Sequence, residues 1–243
     1  MRTSQRHHLK ENELALAIGR ANAWAGQNQR TVTMVAIALA VIGVIAIGFI
    51  TWRNYVDGQS RALLAEAMVI DDARVVPAPA DPAAPAPAPQ SRTYPTEKAK
   101  LEAALPKFLA AADAYPSTDA GQTARYHAAS ALARLGRYDE ALQQYDRLID
   151  SGSGLVPQMA RLGKAETHMR AGKYDQAITD FKALSERTDL DVPKEALLLE
   201  LARAYKLAGK NEDAKKTLNQ IVEQHAQSPF AAEAKTELER IQG

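Results

Sequence analysis

Apolar and polar residues fall into three regimes along the chain. From Thr31 to Trp52 no residue is charged, and apart from Thr31, Thr33 and Thr51 every one is apolar or small. A helix of that length covers roughly 33 Å at about 1.5 Å per residue, against a bilayer hydrocarbon core of about 30 Å. Lipid offers backbone groups no partners, so the pattern predicts one transmembrane helix over residues 31–52. Before it lies a tail, residues 1–30, where Leu14, Ile18, Ala21 and Ala25 recur at helical spacing. They predict a short amphipathic helix over residues 11–26, with Trp24 near the interface. After the span, residues 53–76 read as a juxtamembrane helix with Leu63, Leu64, Ala67 and Met68 as its apolar group.

The second regime is short. Six prolines between Pro77 and Pro89 remove backbone donors and fix φ, which predicts an extended polyproline-like spacer of roughly 40 Å over those residues, within a linker that covers residues 77–95.

The third regime, residues 96–243, has helical periodicity and an internal repeat. Leu135-Gly136-Arg137-Tyr138-Asp139-Glu140-Ala141 returns as Ala171-Gly172-Lys173-Tyr174-Asp175-Gln176-Ala177 and again as Ala208-Gly209-Lys210-Asn211-Glu212-Asp213-Ala214. Four residues after each closing alanine stands a large side chain: Tyr145, Phe181 and Leu218. Glycine ends one helix where a positive φ or a close approach is needed, and the small alanine lets the next helix pack closely on it. This chain resembles the tetratricopeptide repeat family, whose units are helix pairs of about 34 residues with Gly, Tyr, Ala and aromatic residues at this spacing. The resemblance covers about residues 119–228; Asn211 departs from it, standing where the other two units have Tyr138 and Tyr174. In the second unit Lys164 and His168 occupy the positions of Ala128 and Leu132 in the first and of Leu201 and Tyr205 in the third. His168 reads as an aromatic stand-in on a half-buried face. Partial repeats flank the array, with Pro106 expected to kink the first flanking helix and Ala231, Ala234, Leu238 and Ile241 marking a capping helix. The expected fold is all-α: a solenoid of antiparallel helix pairs with about eight helices, preceded by one transmembrane helix and a proline-rich linker.

Composition narrows the function classes. The net charge of the whole chain is +1, and residues 54–243 carry 24 Lys and Arg against 27 Asp and Glu, so no basic face recommends a nucleic-acid partner. With no cysteine there is no disulfide, thiolate metal site, cysteine nucleophile or lipoprotein anchor. No Walker loop, G-x-S-x-G, H-E-x-x-H or Gly-rich dinucleotide turn occurs. His127, His168 and His225 belong to different repeats, and His7-His8 alone is an incomplete metal-ligand set. The reading is of a protein without enzymatic activity and without cofactor or metal.

A solenoid binds through its concave surface. In the register that the family resemblance implies, the inward-facing candidates are Tyr126, Ser130 and Arg134 in the first unit. In the second they are Met159, Leu162 and Glu166, and in the third Leu199, Arg203 and Lys206. Family members that grip a C-terminal carboxylate use Lys and Asn at matched positions, where Tyr126, Ser130 and Leu162 stand here, so such a clamp is not expected.

Orientation follows from the flanking cations. Residues 1–30 carry Arg2, Arg6, Lys10, Arg20 and Arg30 against Glu11 and Glu13, which places the N-terminus in the cytoplasm and the repeats outside. A cleaved signal is the alternative; its apolar region is ordinarily about 7 to 15 residues, and the small residues Ala46-Ile47-Gly48 lie deep within the run. In layout and repeats the chain is similar to the ancillary SecYEG translocon subunit family. That implies a non-catalytic adaptor in the bacterial inner membrane, with translocon subunits, exported chains or periplasmic chaperones as partners. Tetratricopeptide scaffolds of envelope assembly or cell division are the alternative.

Overall fold

The structure is a computed structural model describing residues 24, 26–76, 93–151 and 154–242. The amphipathic helix expected over residues 11–26 lies outside these apart from Trp24 and Gly26, as do His7-His8 and the six prolines. The chain divides into two units, residues 1–56 and 57–243.

Helix α1 runs from Gln29 to Asp71. In the first unit its apolar side chains lack neighbours: Leu39, Ile45 and Ile47 are each more than 60% exposed. Two of its three threonine hydroxyls donate 2.8 Å hydrogen bonds to carbonyls one turn back, Thr33 to Gln29 and Thr51 to Ile47, which removes their need for water. Among the described residues this is the one helix long and apolar enough to cross a membrane or to be a signal sequence.

The second unit begins with the last turns of α1. Leu63, Leu64, Met68 and Ile70 surround the fully buried Ala67 and join the core made by the next two helices. Lys107 Nζ donates to Glu66 Oε1 at 2.6 Å across this contact. Strand β1 (Arg74–Val75) then pairs in parallel with β2 (Thr93–Tyr94), and the Val76 amide donates to the Tyr94 carbonyl at 2.9 Å. The two ends of the proline-rich segment therefore lie side by side. This overturns its reading as a spacer between a separate juxtamembrane helix and the repeats: the residues before it and after it share one core. A parallel pair needs a crossover of a dozen or more residues, and the segment has that length.

Eight helices follow: α2 (Glu97–Ala114), α3 (Asp119–Arg134), α4 (Tyr138–Asp150), α5 (Leu155–Arg170), α6 (Tyr174–Ser185), α7 (Lys194–Leu207), α8 (Asn211–Gln224) and α9 (Phe230–Gln242). Each packs on the next. Thr96 and Thr118 cap α2 and α3 by accepting from the Ala99 and Gly121 amides, at 3.1 and 3.0 Å. Pro106, where a kink is expected, lies inside α2 at an exposed position, and the helix continues past it to Ala114.

The turns inside the three repeats are alike. At the first, Gly136 has φ 77°, its amide donates to Ala133, and the Arg137 amide reaches back to Leu132 at 2.9 Å. These paired bonds satisfy carbonyls that a helix end leaves open, and they require the left-handed conformation glycine adopts without cost. Gly172 and Gly209 repeat the arrangement. Ala141, Ala177 and Ala214 are wholly buried behind the turns, and Tyr145, Phe181 and Leu218 are at most 3% exposed. Tyr138 and Tyr174 stay half-buried over them.

The core falls into two clusters. The first joins Ala67 to α2, α3 and α4 and ends at Ala160; the second begins at Ala165 and runs through α6, α7 and α8 to α9. In the first, the His127 ring stacks on Phe108 with centroids 5.1 Å apart, its Nδ1 4.0 Å from Asp71 Oδ2. Burial lowers the His127 pKa, only partly offset by Asp71 and Asp72. The unfolded chain then binds this proton more readily, so the stabilisation is complete above about pH 6.5 and is lost as pH falls through the lowered folded value. Urea midpoints between pH 8 and 5 should drop on the acid side, and His127→Gln should flatten that part of the profile.

Candidate protein-binding face

The first helix of each repeat carries the residues expected to face a partner, and the structure sorts them into three groups. Tyr126 of α3 stands edge-on to Tyr145 of α4, ring centroids 5.9 Å apart, and edge-on to His127 at 6.0 Å. Ser130 lies close enough to the Tyr145 hydroxyl to oppose, in small part, the rise that burial gives its pKa. Glu166 of α5 lies close enough to act on both tyrosines; burial first, and then Glu166, pushes the Tyr126 hydroxyl up. Glu166 keeps 46% of its side chain exposed. Its carboxyl is raised above the usual range by burial and by the like charge of Glu200, against the opposing pull of Arg170 3.9 Å away. Two aromatic rings, a hydroxyl and a carboxyl group thus make one cluster.

Met159 and Leu162 form the second group. They line a small apolar pocket of about 50 Å³ with Leu155, Leu190, Val192 and Leu197. Leu155 is 61% exposed and Met159 39%. The connection between α6 and α7 is held over this pocket by Gln158, whose Nε2 donates to the Asp189 carbonyl at 2.9 Å. Sequence reading missed Leu155, although it stands four residues before Met159 on the same helical face.

The third group is internally engaged. Arg134 pairs with Glu97 of α2; Arg203 pairs with Glu200 at 2.6 Å and with Glu233 of α9; Lys206 Nζ lies 2.9 Å from Glu237 of α9. Lys206 and its neighbouring cations hold the Glu237 carboxyl below the usual range. Leu199 differs from the expectation altogether: at 2% exposure it is a core residue of the second cluster and offers a partner nothing. His168, expected on a half-buried face, is buried at 9% exposure, its Nδ1 2.7 Å from Asp180 Oδ2. Among the described residues no three His, Asp or Glu side chains converge as a metal site would need.

Stacked antiparallel helix pairs joined by glycine turns of one design define an α-solenoid. Family models described as tetratricopeptide repeat match residues 97–156 and 168–238, and the chain is a tetratricopeptide repeat protein. No curated protein matches it. Among solved structures it is similar to the nearly identical TPR-like repeats of a kinesin-light-chain-type protein from Podosopora anserina, and equally to a variant of that protein. In both cases the identity is 18%, 58% of this chain and 77% of that one are covered, and the TM-score is 0.50. A tetratricopeptide repeat protein from Parabacteroides merdae is 18% identical over 60% of this chain and 56% of its own, with a TM-score of 0.48. At such identities the likeness concerns the fold alone. None of these matches indicates an enzymatic family.

Proposed function

We propose that the chain is a non-catalytic adaptor anchored in the bacterial inner membrane. Residues 31–52 are the span, residues 1–30 lie in the cytoplasm, and the repeats from residue 96 work in the periplasm beside the SecYEG translocon and periplasmic chaperones. The observation that carries the reading is α1 itself: some twenty residues whose apolar side chains face outward with nothing on them, leading into a repeat protein. In water that surface would cost about 25 cal/mol for every Å² exposed, and a bilayer removes the cost. The basic tail supports the orientation. Tyr126, Ser130 and Glu166, with Met159 and Leu162, are the side chains left to receive an emerging chain, since Arg134, Arg203 and Lys206 already hold carboxylates of their own protein.

Photocrosslinkers at Ile42 and Ile45, in cells making the full chain, test the partner. Capture of translocon subunits is the expected result. Capture of division or outer-membrane assembly proteins in their place would overturn it.

A further inference from the structure

The core is continuous everywhere except at α5, between Ala160 and Ala165. Arg161 and Lys164 stand in that gap, 11 and 8 residues before the turn glycine Gly172. The other two repeats fill the same positions. In the third, Leu198 and Leu201 are there, 4% and 5% exposed. In the first, Ala128 is wholly buried, and the buried Arg125 donates to Asp113 Oδ1 at 2.8 Å, to the Ala112 carbonyl at 3.0 Å and to Gln144 Oε1 at 2.7 Å. The second repeat instead has an open pocket of about 260 Å³.

Its charges are unequally matched. Lys164 Nζ lies 2.7 Å from Asp146, Arg187 makes a forked contact with Asp189 at 3.0 and 2.6 Å, and Asp180 is taken by His168. Arg161 has only the Pro157 carbonyl, one turn back on its own helix, at 3.3 Å; among the described residues no carboxylate lies within ion-pairing distance of it. Asp189 feels it at longer range. The remaining wall, Ile149, Ala183 and Leu184, is apolar.

We propose that this pocket is a second binding site, taking a carboxylate borne on a short apolar stem of a partner polypeptide, with Arg161 receiving it as Arg125 receives Asp113. The planar guanidinium favours a carboxylate, to which it can donate two parallel bonds. The volume suits one side chain or one terminal residue and no more. The apolar wall favours the peptide over a bare inorganic anion. The site is not the face described above: at about 100° per residue, Arg161 lies roughly 160° round α5 from Met159, and Lys164 roughly 160° from Glu166.

The test uses the full chain in detergent micelles and the anisotropy of Gly-Ala-Leu-Ala-Leu labelled at its N-terminus with an uncharged fluorophore. One probe has a free C-terminal carboxylate; a second is amidated; a third is amidated with aspartate as the fourth residue. Saturable binding of the first or third, at least tenfold weaker for the neutral amide, is expected, and which acidic probe binds better tells a chain terminus from a side chain. Arg161→Gln should weaken acidic-probe binding at least tenfold. Ala183→Met, which fills the pocket and leaves every charge in place, should do the same while circular dichroism stays unchanged. Equal binding of the neutral probe, indifference to both substitutions, no saturation by about 1 mM, or displacement by inorganic phosphate as effective as by unlabelled acidic peptide would each overturn the proposal. Its failure leaves the adaptor reading untouched, since that is judged by what the span captures.

Discussion

Gly121→Ala should lower the stability of the repeat domain by about 3 kcal/mol, the upper part of the range for overpacking. Gly121 lies in the first turn of α3, where its amide donates to the capping Thr118 hydroxyl at 3.0 Å. A Cβ there would stand 1.8 Å from the Tyr115 carbonyl oxygen and 2.7 Å from its carbon, and both belong to the backbone. A side chain could rotate aside, but this carbonyl sits at the bend between α2 and α3 and can yield only if the bend opens. Helix propensity argues the other way, since alanine in place of glycine in an exposed helix gains up to about 1 kcal/mol. The two arguments differ in sign, so urea unfolding of the variant decides between them. A gain in stability would mean that the approach of α2 to α3 is looser than described.

Phe181→Ala should cost about 3 to 5 kcal/mol, the range for deleting a buried aromatic ring. Phe181 has no exposed surface and lies in the second core cluster, with Ile178, Leu184 and the leucines of α7. In a solenoid each repeat touches only its neighbours, so the loss should be local. Amide exchange should accelerate in α6, α7 and α8 while protection in α2 and α3 persists. Uniform acceleration would show that the two clusters unfold as one.

Most of the solenoid was legible because its determinants are local. A glycine that must take φ near 75°, an alanine at the crossing and a large side chain four residues on recur at steps of 36 and 37 residues, and eight helices lie where the periodicity expects them. What escaped depends on distant partners. Nothing near Ala67 announces that α2 will cover it, because the prolines separate the two in sequence, and only the pairing of β1 with β2 shows their ends meeting. The repeat register puts Leu199 on the face. The register cannot say that the third repeat is the one whose leucines are closed over by the helices beside it. Arg134, Arg203 and Lys206 look available for the same reason: each has a carboxylate partner on another helix some thirty or more residues away along the chain. Lys164 was visible as a departure from the other repeats, but the pocket it shares with Arg161 emerges only once α4, α5 and α6 are assembled.

The most direct measurement is protease treatment of cells making the full chain, before and after the outer membrane is opened, with fragments followed by antibodies to the repeats and to the N-terminal tail. The proposed topology requires the repeats to stay intact in whole cells and to be digested in spheroplasts, while a membrane-bound fragment bearing the tail remains. Repeats that survive in spheroplasts until the inner membrane is lysed, or a full chain recovered in the soluble fraction, would contradict it.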